Sequence, residues 1–382
     1  MGATTADVLV IGAGAIGASC AYQLARAGLR TVVADQFGGP AEGNTGRCFA
    51  SVRAQWADDL NIVMSLRGIE AFRSFPDEHG IDVGYAATGY LFAVPPDDWP
   101  ARLAAVERQR AHGVSVEVLD PAEAAAITPL ETEGLAGATW GTADGVADPH
   151  AVTTAYLRLA RACGAEVRFR CAITAVARAG PGWLVSAGPD QFAVRQIVNA
   201  AGGWAGEVAA LAGLDVPVTH SRRTIYASAA GTAGRRLPMT IDVATGVYLR
   251  SEGERILIGG PGSPRSDGYS TEVDWPWLEE LLLMGVRRFP WLSDLPLDRT
   301  ASWAGTYEIT PDNQGILGPH PDAPSWVNAC GFSGHGFMQS PEIGRLAAVE
   351  AIGGEITDID LAPLRIERFA RGARGPGAGM VL

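Results

Sequence analysis

Asp7-Val8-Leu9-Val10-Ile11-Gly12-Ala13-Gly14-Ala15-Ile16-Gly17 decides the fold of this chain. Its first five residues are an apolar, mostly branched run of the kind that becomes a fully buried parallel strand. The G-x-G-x-x-G spacing follows at once. Ala18 to Ala27 then carries Cys20, Leu24 and Ala27 on one helical stripe, and Gly28 stops it. A second strand, Thr31-Val32-Val33-Ala34, ends in Asp35 and Gln36. Each part has a physical task in a dinucleotide site. Gly12 permits the tight turn, Gly14 lets backbone approach a pyrophosphate at the helix N-terminus, and Gly17 lets helix and strand pack closely. Asp35 can accept hydrogen bonds from both ribose hydroxyls of an adenosine. FAD and NAD both satisfy this pattern.

The rest of the chain bounds what such a protein does. Its 382 residues suffice for two to three folding units, and 47% hydrophobic against 19% charged residues excludes a disordered chain. A formal charge of −12 disfavours nucleic acid as a partner, because a phosphate-backbone binder needs a basic face. All 30 basic residues are arginine, so Schiff-base lysines, phosphate-loop lysines and lysine general bases are ruled out. Five cysteines (Cys20, Cys48, Cys163, Cys171, Cys330) form no C-x-x-C pair, which points to reduced thiols and a cytoplasmic chain. His112, His150, His220 and His320 show no metal-ligand spacing, so no metal is expected. No apolar run is long enough to predict a membrane span.

Three later segments suggest further ligand contacts. Glu42 to Arg53 is a glycine- and hydroxyl-rich loop with two arginines before a helix expected from about Asp58 to Phe75. It reads either as a solvated polar loop or as a second phosphate-contacting loop whose arginine meets an anionic substrate. Gln196-Ile197-Val198-Asn199 reads as a buried strand running into Ala200-Ala201-Gly202-Gly203-Trp204, a turn of small residues that a ligand can approach. Trp326 to Cys330 leads into Gly331-Phe332-Ser333-Gly334-His335-Gly336-Phe337-Met338, with a helix expected from near Pro341. A glycine-rich loop delivering a helix N-terminus stabilises anions, which suits the pyrimidine end of a reduced flavin. Asp148-Pro149 reads as a helix N-cap and first turn. Glu166 to Phe169, Ile173 to Ala177 and the alternating stretch Pro217 to Gly260 read as strands.

Taken in order, Val10 to Gly17, Thr45 to Cys48, Gly89 to Phe92, Asp144 to Pro149, Asn199 to Gly202, Trp303 to Tyr307, Thr310 to Asp312 and Gly331 to Phe337 resemble the D-amino-acid oxidase superfamily of FAD-dependent amine oxidoreductases. In motif the chain is similar to sarcosine oxidase and to the β subunits of L-proline and hydroxyproline dehydrogenases. The resemblance covers roughly residues 5 to 370. It implies an α/β fold: a discontinuous Rossmann-like FAD-binding domain (1–80, 145–215 and 300–370) and a substrate domain with a mostly antiparallel sheet (81–144 and 216–299). Residues 371–382 are expected to form a flexible tail.

The resemblance also implies roles. FAD contacts are expected from Gly12, Gly14, Ile16, Gly17, Asp35, Gln36, Thr45, Gly46, Arg47, Cys48, Val176, Ala200, Ala201, Gly202, Trp204, Gly305, Gly331, Gly334, His335, Gly336, Phe337 and Met338. The cofactor is expected to be non-covalent, since Gly305 stands where monomeric sarcosine oxidase tethers its flavin through a cysteine. Arg53 matches the arginine that pairs with a substrate carboxylate, with Arg47 its rival. Tyr248 and Tyr307 match tyrosines near the substrate, and His335 is placed to hydrogen-bond the isoalloxazine edge. Met338 and Leu257 replace lysines of sarcosine oxidase, one a carboxylate partner and the other the cation that promotes reaction with O2; Arg250 or a protonated His335 is the possible substitute for the second. The implied activity is oxidation of the C–N bond of a secondary or cyclic amino acid, or a related amine, by hydride transfer to flavin N5, as a dehydrogenase. An O2-using oxidase and a non-catalytic flavoprotein assembly factor are the alternatives. The implied partners are a small-molecule amine or amino acid and an α-subunit or electron-acceptor protein.

Overall fold

The strand Thr4–Ile11 is buried on both faces, and that explains its unbroken apolar run. Val8 and Val10 join one hydrophobic cluster while Leu9 and Ile11 join another on the opposite side. This is a computed structural model, and it describes residues 3–369; the tail expected over 371–382 lies outside the described residues. Thr4–Ile11 pairs in parallel with Thr31–Ala34 and Asp190–Asn199. Outward from these, Glu166–Arg168 pairs in parallel with Thr31–Ala34, and Ala323–Cys330 pairs in parallel with Asp190–Asn199. Ile316–His320 closes that edge in antiparallel fashion. The strands Ala175–Ala179 and Gly182–Ala187 form an antiparallel extension off the first half of Asp190–Asn199.

Helices cover one face of this sheet. Ala15–Arg26 lies between Pro149–Ala162 and Gly336–Ala351, and its closeness to the latter depends on Gly344, where a Cβ would come within 2.1 Å of Ser19 Oγ. Asp148 caps Pro149–Ala162 by accepting from the N–H groups of His150 and Ala151, with Pro149 in the first turn. The helix after the second loop runs Asp59–His79 and is capped by Asp58, whose side chain accepts from Asn61 N–H. The last helix starts at Gly336 rather than near Pro341, and Pro341 sits inside it. Proline there lacks only one donor, the N–H that would bond to the Phe337 carbonyl, so the helix tolerates it close to its N-terminus.

A second eight-stranded sheet runs Leu297–Ile309, Thr219–Ser228, Arg255–Gly259, Tyr248–Glu252, Met239–Asp242, Tyr90–Val94, Gly137–Gly141, Val116–Leu119. All its pairs are antiparallel except Met239–Asp242 with Tyr90–Val94. The two sheets give the mixed α/β fold class. The edge strand Leu297–Ile309 belongs wholly to this second sheet through its pairing with Thr219–Ser228, so it crosses the domain boundary expected at residue 300. That matters for the site, because this strand carries Gly305, Tyr307 and Glu308 across to the loops of the first sheet. Among the described residues, no helix is long and apolar enough to cross a membrane.

Candidate active site

Four turns converge at the carboxyl ends of four neighbouring parallel strands: Gly12 to Ile16, Asp35 to Phe37, Ala200 to Trp204, and the loop Gly331 to His335. Between them and the strand Leu297–Ile309 lies a cavity of about 400 Å³. Its walls at this end are backbone. A Cβ on Gly12, whose φ is +105°, would lie 2.3 Å from the Ala200 carbonyl oxygen, and one on Gly17 would lie 2.0 Å from the Gly12 carbonyl oxygen. Those two glycines are therefore required by packing. Gly14 differs: a Cβ there would meet only Thr45 Oγ1, at 2.8 Å, so its missing side chain leaves open the cradle before the helix Ala15–Arg26. Thr45 Oγ1 accepts from Ala15 N–H at 3.1 Å, and no acidic residue occupies the first turn of that helix. An anion fits there.

Asp35 braces the first turn, its two oxygens accepting from Ala13 N–H (2.6 Å) and Phe37 N–H (2.7 Å). Burial raises its carboxyl above the usual range. Each oxygen keeps a lone pair for a ribose hydroxyl. The glycine cradle, the bare helix terminus and this carboxylate together fit a dinucleotide cofactor.

The other end is built from side chains. Arg53 is buried with its guanidinium 3.7 Å from the centre of the Trp56 indole and 5.2 Å from that of Phe92, and its Nη1 donates to the Gln55 carbonyl at 2.9 Å. Burial lowers its proton affinity, and Tyr90, Asp144 and Tyr307 partly restore it. Asp144 holds this segment: it accepts from Ala54 N–H (2.9 Å) and from Gln55 Nε2 (3.0 Å), which also donates to the Tyr90 carbonyl. Burial pushes Asp144 up to about 6. Tyr248 and Tyr307 line the cavity and share a hydrogen bond, and burial raises both phenols. The Arg223 guanidinium lies 4.8 Å from the Tyr307 ring centre. Gly334 lets the glycine loop rest on that ring, where a Cβ would come within 2.6 Å.

Of the residues singled out from sequence, Gly12, Gly14, Ile16, Asp35, Gln36, Thr45, Arg47, Cys48, Ala200, Ala201, Gly202, Trp204, Tyr248, Gly305, Tyr307, Gly334, Gly336 and Phe337 line the one cavity. Gly17, Gly46, Gly331, Met338, Val176, His335 and Arg53 do not. Gly17 serves helix packing, Gly46 abuts the Ala41 carbonyl and the His150 ring, and Gly331 packs against Thr310. Met338 is buried, and its carbonyl would lie 2.0 Å from a Cβ on Gly68. Val176 is a correction: it sits in the strand Ala175–Ala179, packed with Trp183 and Val185, because the strand begins beyond the corner that Cys171, Ala172 and Ile173 line.

His335 is another. Its ring turns against Trp56 (5.1 Å between centres) and Phe332 (6.1 Å), and neither ring nitrogen has a hydrogen-bond partner. Burial, reinforced by Arg53, pushes it down to about 3, so it is neutral and supplies no charge. Arg250 is likewise committed elsewhere, donating to the Phe49 and Ser251 carbonyls and pairing with Glu252. Sequence reasoning missed Arg223, Ile173 and Glu308. Only the pairing of Thr219–Ser228 with Leu297–Ile309 brings the first and last of these to the cavity, and no local spacing reports it.

A cleft at the carboxyl ends of a parallel sheet, glycine-walled beside a helix N-terminus without acidic residues, defines a dinucleotide-cofactor protein. The chain belongs to the FAD dependent oxidoreductase family, whose model matches residues 7–349, and it is an FAD-dependent oxidoreductase. It is 28% identical over 418 residues to FAD-dependent oxidoreductase domain-containing protein 1 of Bos taurus, covering 96% of this chain and 85% of that one. It is 26% identical to mitochondrial sarcosine dehydrogenase of Mus musculus, covering 96% of this chain but only 42% of that longer protein. Among solved structures, L-proline dehydrogenase from P. horikoshii superposes with a TM-score of 0.89 at 28% identity, covering 97% of this chain and 99% of that one.

Proposed function

We propose that this protein oxidises the C–N bond of a secondary or cyclic amino acid, or a related amine, and does so as a dehydrogenase. What carries the reading is Arg53, a buried guanidinium held in an aromatic cage whose electrostatic neighbours include the cavity-lining Tyr307. A carboxylate is its natural ligand, because a bidentate pair satisfies the fork of a desolvated guanidinium. The likeness to L-proline and sarcosine dehydrogenases supports an amino-acid substrate. FAD bound in the cavity supplies a two-electron oxidant for the carbon next to nitrogen.

The protein's part is orientation and electrostatics. Arg53 fixes the carboxylate end, and Tyr248 and Tyr307 close the space between substrate and solvent. A substrate amine must be neutral before its α-carbon gives up a hydride. A buried cation with no charged histidine to titrate beside it favours that deprotonated form. We assign cofactor binding mainly to the cavity-lining residues of the first sheet's turns, and substrate binding to Arg53, Tyr248 and Tyr307.

We further propose that FAD is held without a covalent bond. At position 305 a Cβ would lie 2.8 Å from Arg47 Cβ, and burial pushes the Cys48 thiol up to about 11, so no reactive thiolate faces the cavity at neutral pH. Acid precipitation should release yellow flavin into the supernatant; flavin that stays with the pellet refutes this part. The experiment for the whole reading is an anaerobic screen of amino acids and amines that follows bleaching of the flavin. Secondary or cyclic amino acids should bleach it, and bleaching by none of them refutes the reading.

A further inference from the structure

We propose that Glu308 is a cofactor-binding residue that engages FAD as a neutral carboxylic acid, donating a hydrogen bond to an oxygen of the bound dinucleotide, so that FAD affinity falls as pH rises. Glu308 follows Tyr307 on the strand Leu297–Ile309 and lines the cavity. Its Oε1 accepts from Phe332 N–H at 3.3 Å and so anchors the carboxyl to the glycine loop. Its Oε2 is buried and has no hydrogen-bond partner in the protein. On either side stand two cavity-lining glycines: a Cβ on Gly336, at the head of the last helix, would lie 3.3 Å from Oε1, and one on Gly202 would lie 3.9 Å from Oε2. The unpartnered oxygen therefore sits directly behind the Gly202 turn that borders the ligand space, and a buried acceptor without a partner is costly there.

The surroundings favour the protonated form. Burial pushes Glu308 up to about 7, against the opposing pull of the Gly331 and Phe332 N–H groups. His220, opposite it in register on Thr219–Ser228, is itself lowered by burial and uses Nδ1 on the Thr306 hydroxyl. Cys330, ending the strand Ala323–Cys330, is raised by burial with Glu308 adding to the effect. Tyr307 beside it is a raised phenol, and His335 at the head of Gly336–Ala351 is neutral. The pyrophosphate of FAD adds negative charge, which raises the carboxyl further and couples cofactor binding to retention of the proton.

The inference rests on the cavity being the FAD site, which a Gly14→Val variant tests separately. Apoprotein is titrated with FAD from about pH 6 to about pH 8.5, where FAD itself carries no titrating group, following quenching of flavin fluorescence. The wild-type Kd should rise roughly tenfold across this range. Glu308→Gln keeps a donor without a titration, so its Kd should match the wild-type value at the acid end and stay flat. Glu308→Ala should be flat and weak throughout. A wild-type Kd that is flat or falls with pH, or a Glu308→Gln protein that keeps the wild-type slope, overturns the proposal. Binding by the Gln variant alone decides the matter where the Ala variant does not fold.

Discussion

The two ends of the cavity are made of different material. The dinucleotide end is backbone: turns of Gly, Ala and Thr whose side chains are absent or minimal, fixed by close contacts such as Gly17 on the Gly12 carbonyl. The end we assign to substrate is side chains: Tyr248 bonded to Tyr307 at the wall, with Arg53 on Trp56 outside the lining and its segment held by Asp144. Backbone walls recognise what every dinucleotide shares, whereas side-chain walls can be exchanged one at a time to change the substrate. Damage should therefore separate: changes at the glycine turns should remove the cofactor, and changes at Arg53 and its neighbours should spare it.

Gly14→Val is the strongest way to break this separation. The residue has ordinary extended φ and a Cβ there meets only the Thr45 side chain, so the fold should survive while the cradle is filled. The purified protein should be colourless, and a yellow Gly14→Val protein at full FAD occupancy would show that the cradle is not the cofactor's. Arg53→Met attacks the other end. It should weaken an amino-acid substrate by about 2–5 kcal/mol through loss of a buried ion pair, with FAD content unchanged. Loss of flavin with substrate affinity kept would move Arg53 to the cofactor end.

A third test sharpens the role of the clamp through pH. Asp144 is raised to about 6 from 3.8 by burial, so between those values the native state holds a proton the unfolded chain has lost. Its contribution is full below pH 3.8 and is lost as pH climbs through 6, a fall of about 3 kcal/mol. Asp144→Asn does not titrate. The stability difference between wild type and Asp144→Asn, from denaturant titrations, should shift against the wild type by that amount from about pH 4 to about pH 7. A difference constant with pH would mean that Asp144 is ionised throughout.

The contrast between the ends also explains what could be read beforehand. The first end is local in sequence: strand, glycine turn and helix are consecutive, so Gly12, Gly14, Gly17 and Asp35 announce themselves by spacing. The mixed α/β class followed from the same run. The second sheet's share of the cavity is assembled by pairing across more than eighty residues. Arg223 and Glu308 enter the cavity because Thr219–Ser228 pairs with Leu297–Ile309, and neither residue has a local signature. His335 is a different case. Its position between two glycines is legible, but which way its ring turns depends on Trp56 and Phe332, which only packing brings together. Val176 was misplaced because a strand start two residues late moves the corner onto Ile173.

The smallest expected effect concerns electrons leaving the site. Leu257, in the strand Arg255–Gly259, packs in one apolar cluster with Ile225, Tyr248 and Phe49, all of which line the cavity. No lysine exists in the chain, His335 is neutral and Arg250 is bound to carbonyls and Glu252, so none of these supplies the cation that would stabilise superoxide beside Leu257. Reduced protein should therefore be reoxidised slowly by air and quickly by an acceptor dye. Leu257→Lys restores the term. A unit charge acting over ~10 Å at an effective dielectric of ~20 contributes about 1.7 kcal/mol, or on the order of tenfold in rate. Burial in an apolar cluster lowers the proton affinity of such a lysine, so the gain should be largest at acid pH and fade as pH rises. Stopped-flow mixing of photoreduced protein with aerated buffer measures it directly. Wild-type flavin that returns to its oxidised state in air as fast as substrate reduces it would make this an oxidase and remove Leu257 from the argument.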